Sequence, residues 1–196
     1  MLKIGITGSI GSGKTTVCRI LETLHVPVYY ADERGKYLQQ NNKKVISQVR
    51  SAFGDRVYGP GNVLDRSALS GIVFNDPDKL AVLESIVHPA VFQDFNEWVS
   101  KQNTPYIIKE AALLFEAGTN KNLDKMITVT APLEVRIQRV LLRDHLSREQ
   151  VQARMNRQWT DERKIKEADY VIYNDDRQLL LPQVLRLHEM FVAGRT

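Results

Sequence analysis

The sequence predicts an α/β fold, and three observations carry that prediction. Short β-prone runs recur along the chain, helical patterns separate them, and a Gly-rich loop joins the first such run to the first helix. That loop is Gly8-Ser9-Ile10-Gly11-Ser12-Gly13-Lys14-Thr15, with the spacing of a phosphate-binding P-loop: glycine, four residues, Gly-Lys, then Ser or Thr. Its flanks agree with the motif. Leu2-Lys3-Ile4-Gly5-Ile6-Thr7 is mostly apolar and β-prone, and Thr15 to Leu24 places Val17, Ile20, Leu21 and Leu24 at helical spacing.

Glycines in such a loop let backbone N–H groups point inward around a pyrophosphate, and the helix N-terminus adds a partial positive charge of roughly half an elementary unit. The candidate nucleotide contacts are Gly11, Ser12, Gly13, Lys14, Thr15 and Thr16. Lys14 is expected to reach the β and γ phosphates, and the Thr15 hydroxyl to ligate magnesium. The competing reading is a Gly-rich strand-to-helix turn that binds nothing. Motif, flanks and position near the N-terminus argue against it.

At 196 residues and 43% hydrophobic content, the chain suits one compact domain with small insertions. The formal charge of +4 comes from 27 basic and 23 acidic residues that are interspersed, so polyanionic small molecules suffice to explain it and no nucleic-acid partner is expected. No apolar run approaches the roughly 20 residues that span a bilayer, and Met1 leads into the first strand without a signal peptide. A cytoplasmic monomer without a membrane partner is expected. The single cysteine, Cys18, excludes an internal disulfide and reads as a buried, inert residue. His25, His88, His145 and His188 lack metal-ligand spacing, so zinc is not expected.

The second strand is read at Val26-Pro27-Val28-Tyr29-Tyr30, with Pro27 near its start where a missing donor is tolerated. It ends in Ala31-Asp32. Parallel α/β sheets place ligands outside the carboxyl ends of their strands, so Asp32 would emerge on the rim that carries the P-loop. Local sequence leaves two roles open for it: a catalytic carboxylate, or the N-cap of a helix over Glu33 to Gln40. From there to about Asn103 only helical segments follow. Lys43 to Phe53 offers Val45, Ile46, Val49 and Phe53; Asp65 can cap Arg66 to Phe74; Asp76-Pro77 opens a further helix; and His88-Pro89 is read as the start of another, through Phe92, Phe95 and Trp98. A helical excursion at this point commonly carries a second substrate, with scaffold as the default role of any single helix.

Tyr106-Ile107-Ile108-Lys109-Glu110 reads as the third strand. Glu110 falls where P-loop proteins commonly hold an acid that binds the magnesium shell through water, and a solvated strand-end glutamate is the competing view. Asn120-Lys121-Asn122-Leu123-Asp124 evokes a guanine-reading element, but its spacing is off by one and it precedes a strand, so it reads as a loop. The fourth strand is Met126-Ile127-Thr128-Val129-Thr130. In the helix after Ala131-Pro132, Arg136, Arg139, Val140 and Arg143 recur at intervals of three and four and share a face. Ser147-Arg148-Glu149-Gln150 is a capping box, read as opening a helix that carries Arg154, Arg157 and Gln158. Together the two helices make a lid-like hairpin. Arg148, Arg157 and Arg163 read as a solvated face, whereas Arg143, at the turn, suits phosphate oxygens through its guanidinium fork. Ala168 to Tyr173 is the fifth strand, ended by Asn174, and a helix from Arg177 to Val192 closes the chain.

Taken in order, several of these elements match one family's pattern. Gly-Ser-Ile-Gly-Ser-Gly-Lys-Thr-Thr-Val, Ala31-Asp32, Leu64-Asp65-Arg66-x-x-Leu69 with Val73-Phe74, Ile86-x-His88-Pro89, Leu113-Leu114-Phe115-Glu116, Arg139-x-x-x-Arg143, Arg154-x-x-x-Gln158 and Ala168-Asp169-Tyr170-Val171-Ile172-x-Asn174 resemble the dephospho-CoA kinases over nearly the whole chain. The resemblance implies a P-loop kinase core with a five-stranded parallel sheet flanked by helices (1–32, 104–140 and 168–196), a helical CoA-substrate-binding insertion (33–103) and a helical lid (141–167). It also implies the reaction, in which ATP phosphorylates the ribose 3′-hydroxyl of dephospho-CoA, with Mg²⁺, to give CoA and ADP. Asp32 takes the position of the carboxylate that accepts the 3′-hydroxyl proton, which decides between its two local roles. Arg143 matches the lid arginine and Asn174 the loop near the ATP adenine, while Arg66, His88 and Leu113 match positions associated with the acceptor. Tyr30, Lys36, Ala112 and Arg136 depart from the common residues of the family. Rival readings are another small P-loop kinase, acting on a nucleoside monophosphate or a small polyol, and a nucleotide-dependent switch or nucleic-acid-binding ATPase.

Overall fold

A computed structural model describes residues 1–74, 76–144 and 146–194, so His145 lies outside the described residues. By its internal contacts the chain forms two compact units, one from Met1–Tyr30 with the chain from Gln102 onward, the other Ala31–Lys101.

The first unit is built on strands β1 (Leu2–Thr7), β2 (Val28–Tyr30), β3 (Tyr106–Glu110), β4 (Lys125–Thr130) and β5 (Tyr170–Tyr173). They form one five-stranded sheet in the order β2-β3-β1-β4-β5, and every pairing is parallel. A parallel sheet covered on both faces needs apolar residues at consecutive positions, and β1, β3 and β4 supply them. Ile4, Ile6, Ile107, Ile108, Ile127 and Val129 are all buried. On one face Val17, Cys18 and Leu21 pack from helix α1 (Lys14–Thr23), and Val184 and Phe191 from α9 (Leu180–Val192). At Gly5, in the centre of β1, a Cβ would sit 2.5 Å from Met126 Sδ and 2.8 Å from Leu123 Cδ1, so the ends of those side chains would have to move to admit one. Helices α6 (Leu133–Asp144), α7 (Arg148–Met155) and α8 (Asp161–Glu167) belong to the same unit.

The second unit is helical: α2 (Ala31–Asn41), α3 (Lys43–Phe53), α4 (Arg66–Val73) and α5 (Pro77–Val99). Three of these helices start at side-chain caps. The carboxamide oxygen of Asn42 accepts from Lys44 and Val45, Asp65 accepts from Ala68 N, and Asp76 from Lys79 N, so each cap satisfies donors that the first turn leaves orphaned. Val45, Val49 and Phe53 form a core with Val57, Tyr58, Leu64 and Leu69. At Gly35 α2 packs on α5, and a Cβ there would meet Val87 and Val91 in ordinary van der Waals contact at 3.6 Å.

Several sequence expectations are corrected. Pro89 does not start a helix; it lies inside one 23-residue helix. The missing N–H costs one internal bond, but Val87, Val91 and Phe95 are buried on either side of it, so packing holds the helix across the defect. Asp32 does not cap α2. The helix begins at Ala31, directly off β2, which puts Asp32 inside the first turn. The helix after the Ser147 capping box ends at Met155, so Arg157 and Gln158 follow it rather than ride on it. Asn120–Asp124 is a loop, as expected: a 3-10 turn over Thr119–Asn122 leads into it, and Asp124 accepts from Lys3 N.

Candidate active site

The loop between β1 and α1 takes the form its glycines allow. Gly11 and Gly13 have φ of 81° and 95°, a region that side-chain-bearing residues seldom enter. Space makes the same demand. A Cβ on Gly11 would lie 2.4 Å from the Arg136 carbonyl oxygen, and one on Gly13 would lie 2.1 Å from Asn174 Nδ2. Gly13 is also the residue before the first turn of α1, so the loop's last amides and the helix N-terminus face one region. Lys14 Nζ donates to the Gly8 carbonyl at 2.9 Å, tying the ammonium back to the loop's first residue. Ser12 is fully buried and its hydroxyl has no hydrogen-bond partner among the described residues. A buried donor left open inside a ring of amides suits an anion oxygen.

Side chains from distant parts of the first unit hold this loop. Asn174 Nδ2 donates to the Ser12 carbonyl at 2.9 Å, and the Asn174 carbonyl accepts from Arg139 at 3.0 Å. Gln158 Oε1 accepts from Ile10 N at 2.9 Å. Asp161 accepts from the Ser9 hydroxyl, pairs with Arg136 at 2.9 Å and takes a 3.3 Å bond from Thr130 Oγ1. Arg136 is thus buried in an ion pair, although its spacing placed it on one face with Arg143. Sequence reasoning missed Asp161 and this role of Arg136. Pairs distant in the chain leave no local pattern, and only the Arg154-x-x-x-Gln158 match pointed at Gln158.

Glu110 ends β3, in register with Ile6 of β1 and Tyr30 of β2. It is buried, so the solvated strand-end reading does not hold. The Tyr30 phenol beside it is pushed above its usual range, first by burial and then by the charges of neighbouring groups including Glu22 and Glu110. Thr15 and Thr16 are exposed at the start of α1. Asp32 is exposed two residues past Tyr30. The Arg143 guanidinium is paired with the neighbouring Asp144, at 2.7 Å and 3.0 Å, which raises its pKa, and Arg154 approaches the same carboxylate at 3.6 Å. Arg148, Arg157 and Arg163 are exposed, as expected of a solvated face, with the Arg163 Cζ 3.4 Å from the centre of the Trp159 ring and Arg148 paired with Glu134.

The model of the dephospho-CoA kinase family matches residues 2–179. The chain belongs to that family. A dephospho-CoA kinase from Bacteroides fragilis is 37% identical over 187 residues, covering 95% of this chain and 91% of the relative. Among solved structures, TT1252 from Thermus thermophilus superposes with a TM-score of 0.86 at 37% identity, over 100% of this chain and 98% of that one. The dephospho-CoA kinase from Campylobacter jejuni gives 0.73 at 28% identity, over 99% and 98%. Membership in the dephospho-CoA kinase family makes the chain a kinase with a P-loop core and disfavours the switch, the nucleic-acid ATPase and the other small kinases. The three residues expected near the acceptor of a dephospho-CoA kinase stand on separate elements. Arg66 opens α4 and donates to the Lys36 carbonyl at 3.3 Å, His88 lies exposed midway along α5, and Leu113 is 37% exposed in the loop after β3. No described helix is long and apolar enough to cross a membrane.

Proposed function

We propose that the chain transfers the γ-phosphoryl group of ATP to the ribose 3′-hydroxyl of dephospho-CoA, giving CoA and ADP. The observation that carries this reading is the loop itself, a preformed anion cradle with an unpartnered buried hydroxyl at Ser12 and a lysine at its mouth, in a chain of this family. Gly11, Ser12, Gly13, Lys14, Thr15 and Thr16 bind the phosphates. Asn174 holds the cradle closed through the Ser12 carbonyl, beside the adenine end. Asp32 is the base. Chain continuity keeps it within about 7 Å of the end of β2, the strand whose last residue is paired with Glu110.

The donor set fits magnesium that arrives with the nucleotide. Among the described residues no group of three His, Cys, Asp or Glu side chains could hold a metal by itself, and Mg²⁺ in kinases completes its shell with phosphate oxygens and water. Thr15 would hold the ion directly and Glu110 through water. When bound, it supplies charge neutralisation at the phosphoryl oxygens. The protein's own part is positioning and charge. Asp32 accepts the proton of the 3′-hydroxyl as the ribose oxygen bonds to phosphorus and the bond to the β-phosphate oxygen breaks. Lys14 stabilises the charge on the transferring group, and Arg143 joins it once its fork leaves Asp144. Arg66, His88 and Leu113 meet the acceptor, the insertion at 33–103 seats it, and within 141–167 the part of the hairpin before Gln158 closes as a lid that excludes water. The protein acts as a cytoplasmic monomer without nucleic acid.

The test is incubation with Mg-ATP and dephospho-CoA, with mass detection of the product. A product heavier by one phosphoryl group is expected. Phosphorylation of a nucleoside monophosphate or a polyol in its place would overturn the proposal.

A further inference from the structure

The segment from Gln158 to Lys164 touches the P-loop at one end and the loop after β3 at the other. At the first end Gln158 Oε1 accepts from Ile10 N at 2.9 Å, and Asp161 accepts from the Ser9 hydroxyl while paired with Arg136 at 2.9 Å. At the second end the fully buried Lys164 donates to Glu116 Oε1 at 2.9 Å and to the Ala112 carbonyl at 3.0 Å. Glu116 Oε1 also accepts from Trp159 N at 2.8 Å, and the Trp159 ring stacks on Phe115 with centroids 5.8 Å apart and planes 1° from parallel. The segment is fastened to the sheet near its middle by Thr130 Oγ1, which donates to Asp161 at 3.3 Å, and at its Lys164 end by Thr128 Oγ1, which donates to the Lys164 carbonyl at 3.2 Å.

Stability alone gives little reason for this arrangement. Taking two ion pairs out of water costs several kcal/mol per ion, and well-packed apolar pairs of the same volume hold a core at least as well. What charged hydrogen bonds add is direction and length. Here they fix two loops against one rigid segment. The residues of the P-loop held in this way, Ser9 and Ile10, precede the amides that face the phosphates. The residues held at the other end flank Leu113.

We infer that Gln158 to Lys164 is a brace that sets the P-loop and the loop after β3 in register, with Asp161 positioning the nucleotide loop and Lys164 positioning the acceptor loop. The acceptor half of this inference rests on the proposed reaction; the nucleotide half does not.

The test separates the two ends. Ser9→Ala cuts the loop from Asp161 and leaves the Arg136–Asp161 pair in place, so the protein stays folded with a thermal midpoint lower by about 3–10 °C. Its Kd for a fluorescent mant-ADP with Mg²⁺, and its KM for ATP, rise about tenfold, while KM for dephospho-CoA changes less than about twofold. Lys164→Met does the reverse, raising KM for dephospho-CoA about tenfold and leaving the mant-ADP Kd within about twofold. Should Lys164→Met fail to fold, Glu116→Gln tests the same end, because its amide oxygen still accepts from Trp159 N. The brace is overturned if Ser9→Ala binds mant-ADP like the wild type, or if both variants shift both KM values alike, the behaviour of a purely structural network. If the wild type binds mant-ADP but leaves dephospho-CoA unphosphorylated, the proposed reaction and the acceptor half fall together. The Ser9→Ala titration then decides the nucleotide half.

Discussion

Replacing Gly13 by alanine tests how the P-loop keeps its shape. The residue has φ of 95°, where an L side chain costs about 1–2 kcal/mol. Its new Cβ would lie 2.1 Å from Asn174 Nδ2, so the amide must swing away and surrender its 2.9 Å bond to the Ser12 carbonyl, worth about 1 kcal/mol. Gly13→Ala should therefore cost about 2–3 kcal/mol, and Asn174→Ala about 1 kcal/mol. The double variant has no clash and only one bond to lose. It should cost no more than Gly13→Ala alone, leaving a coupling of about 1 kcal/mol between two residues far apart in the chain. Urea unfolding of the four proteins, with m-values checked for constancy, measures each step. Additive costs, with a double variant near 3–4 kcal/mol, would refute the steric argument.

Other predictions concern chemistry and titration. Asp32→Asn should lower turnover at least about a hundredfold while the protein stays folded, measured as ADP release with dephospho-CoA present; near-normal turnover sinks the base assignment. Arg143→Ala should reduce kcat with little change in KM for ATP, and an effect confined to KM would reject the charge-clamp role. Burial holds the Cys18 thiol well above its usual pKa, with the negative charge of Glu110 adding to the effect, so a chromogenic disulfide reagent at about pH 8 should react only on unfolding. Rapid labelling of the native protein would contradict this. Backbone N–H bonds from Lys79 and from Gln178 hold the Asp76 and Asp175 carboxyls below the usual range. Their stabilisation is present above about pH 4 and is lost as pH falls through the lowered values, so the unfolding midpoint should drop on acidification. Asp76→Asn keeps a capping oxygen that does not titrate and should flatten that drop; an unchanged acid limb would count against the assignment.

The sequence by itself determined what local chemistry can write. Apolar runs fixed all five strands because a buried parallel strand must be apolar at consecutive positions, and their ends moved by only a few residues where pairing stopped. The P-loop was legible because two glycines, a lysine and a Ser or Thr are needed at fixed places within eight positions. Caps at Asn42, Asp65, Asp76 and Ser147 act over three or four residues, and those at Asp65, Asp76 and Ser147 could be read directly. Where burial overrides a local signal, the sequence misled. Pro89 looked like a helix start, yet packing at Val87, Val91 and Phe95 carries the helix through it. The arginine run looked like one face, yet Arg136 turns into a buried pair with Asp161 while Arg143 meets Asp144. Only the tertiary structure decided which side chains hold the loop. Ser9 finds Asp161, Ile10 finds Gln158 and Gly13 makes room for Asn174. A hydrogen bond between residues some 150 positions apart is set by how strands and helices stack, and no short stretch of sequence contains that information.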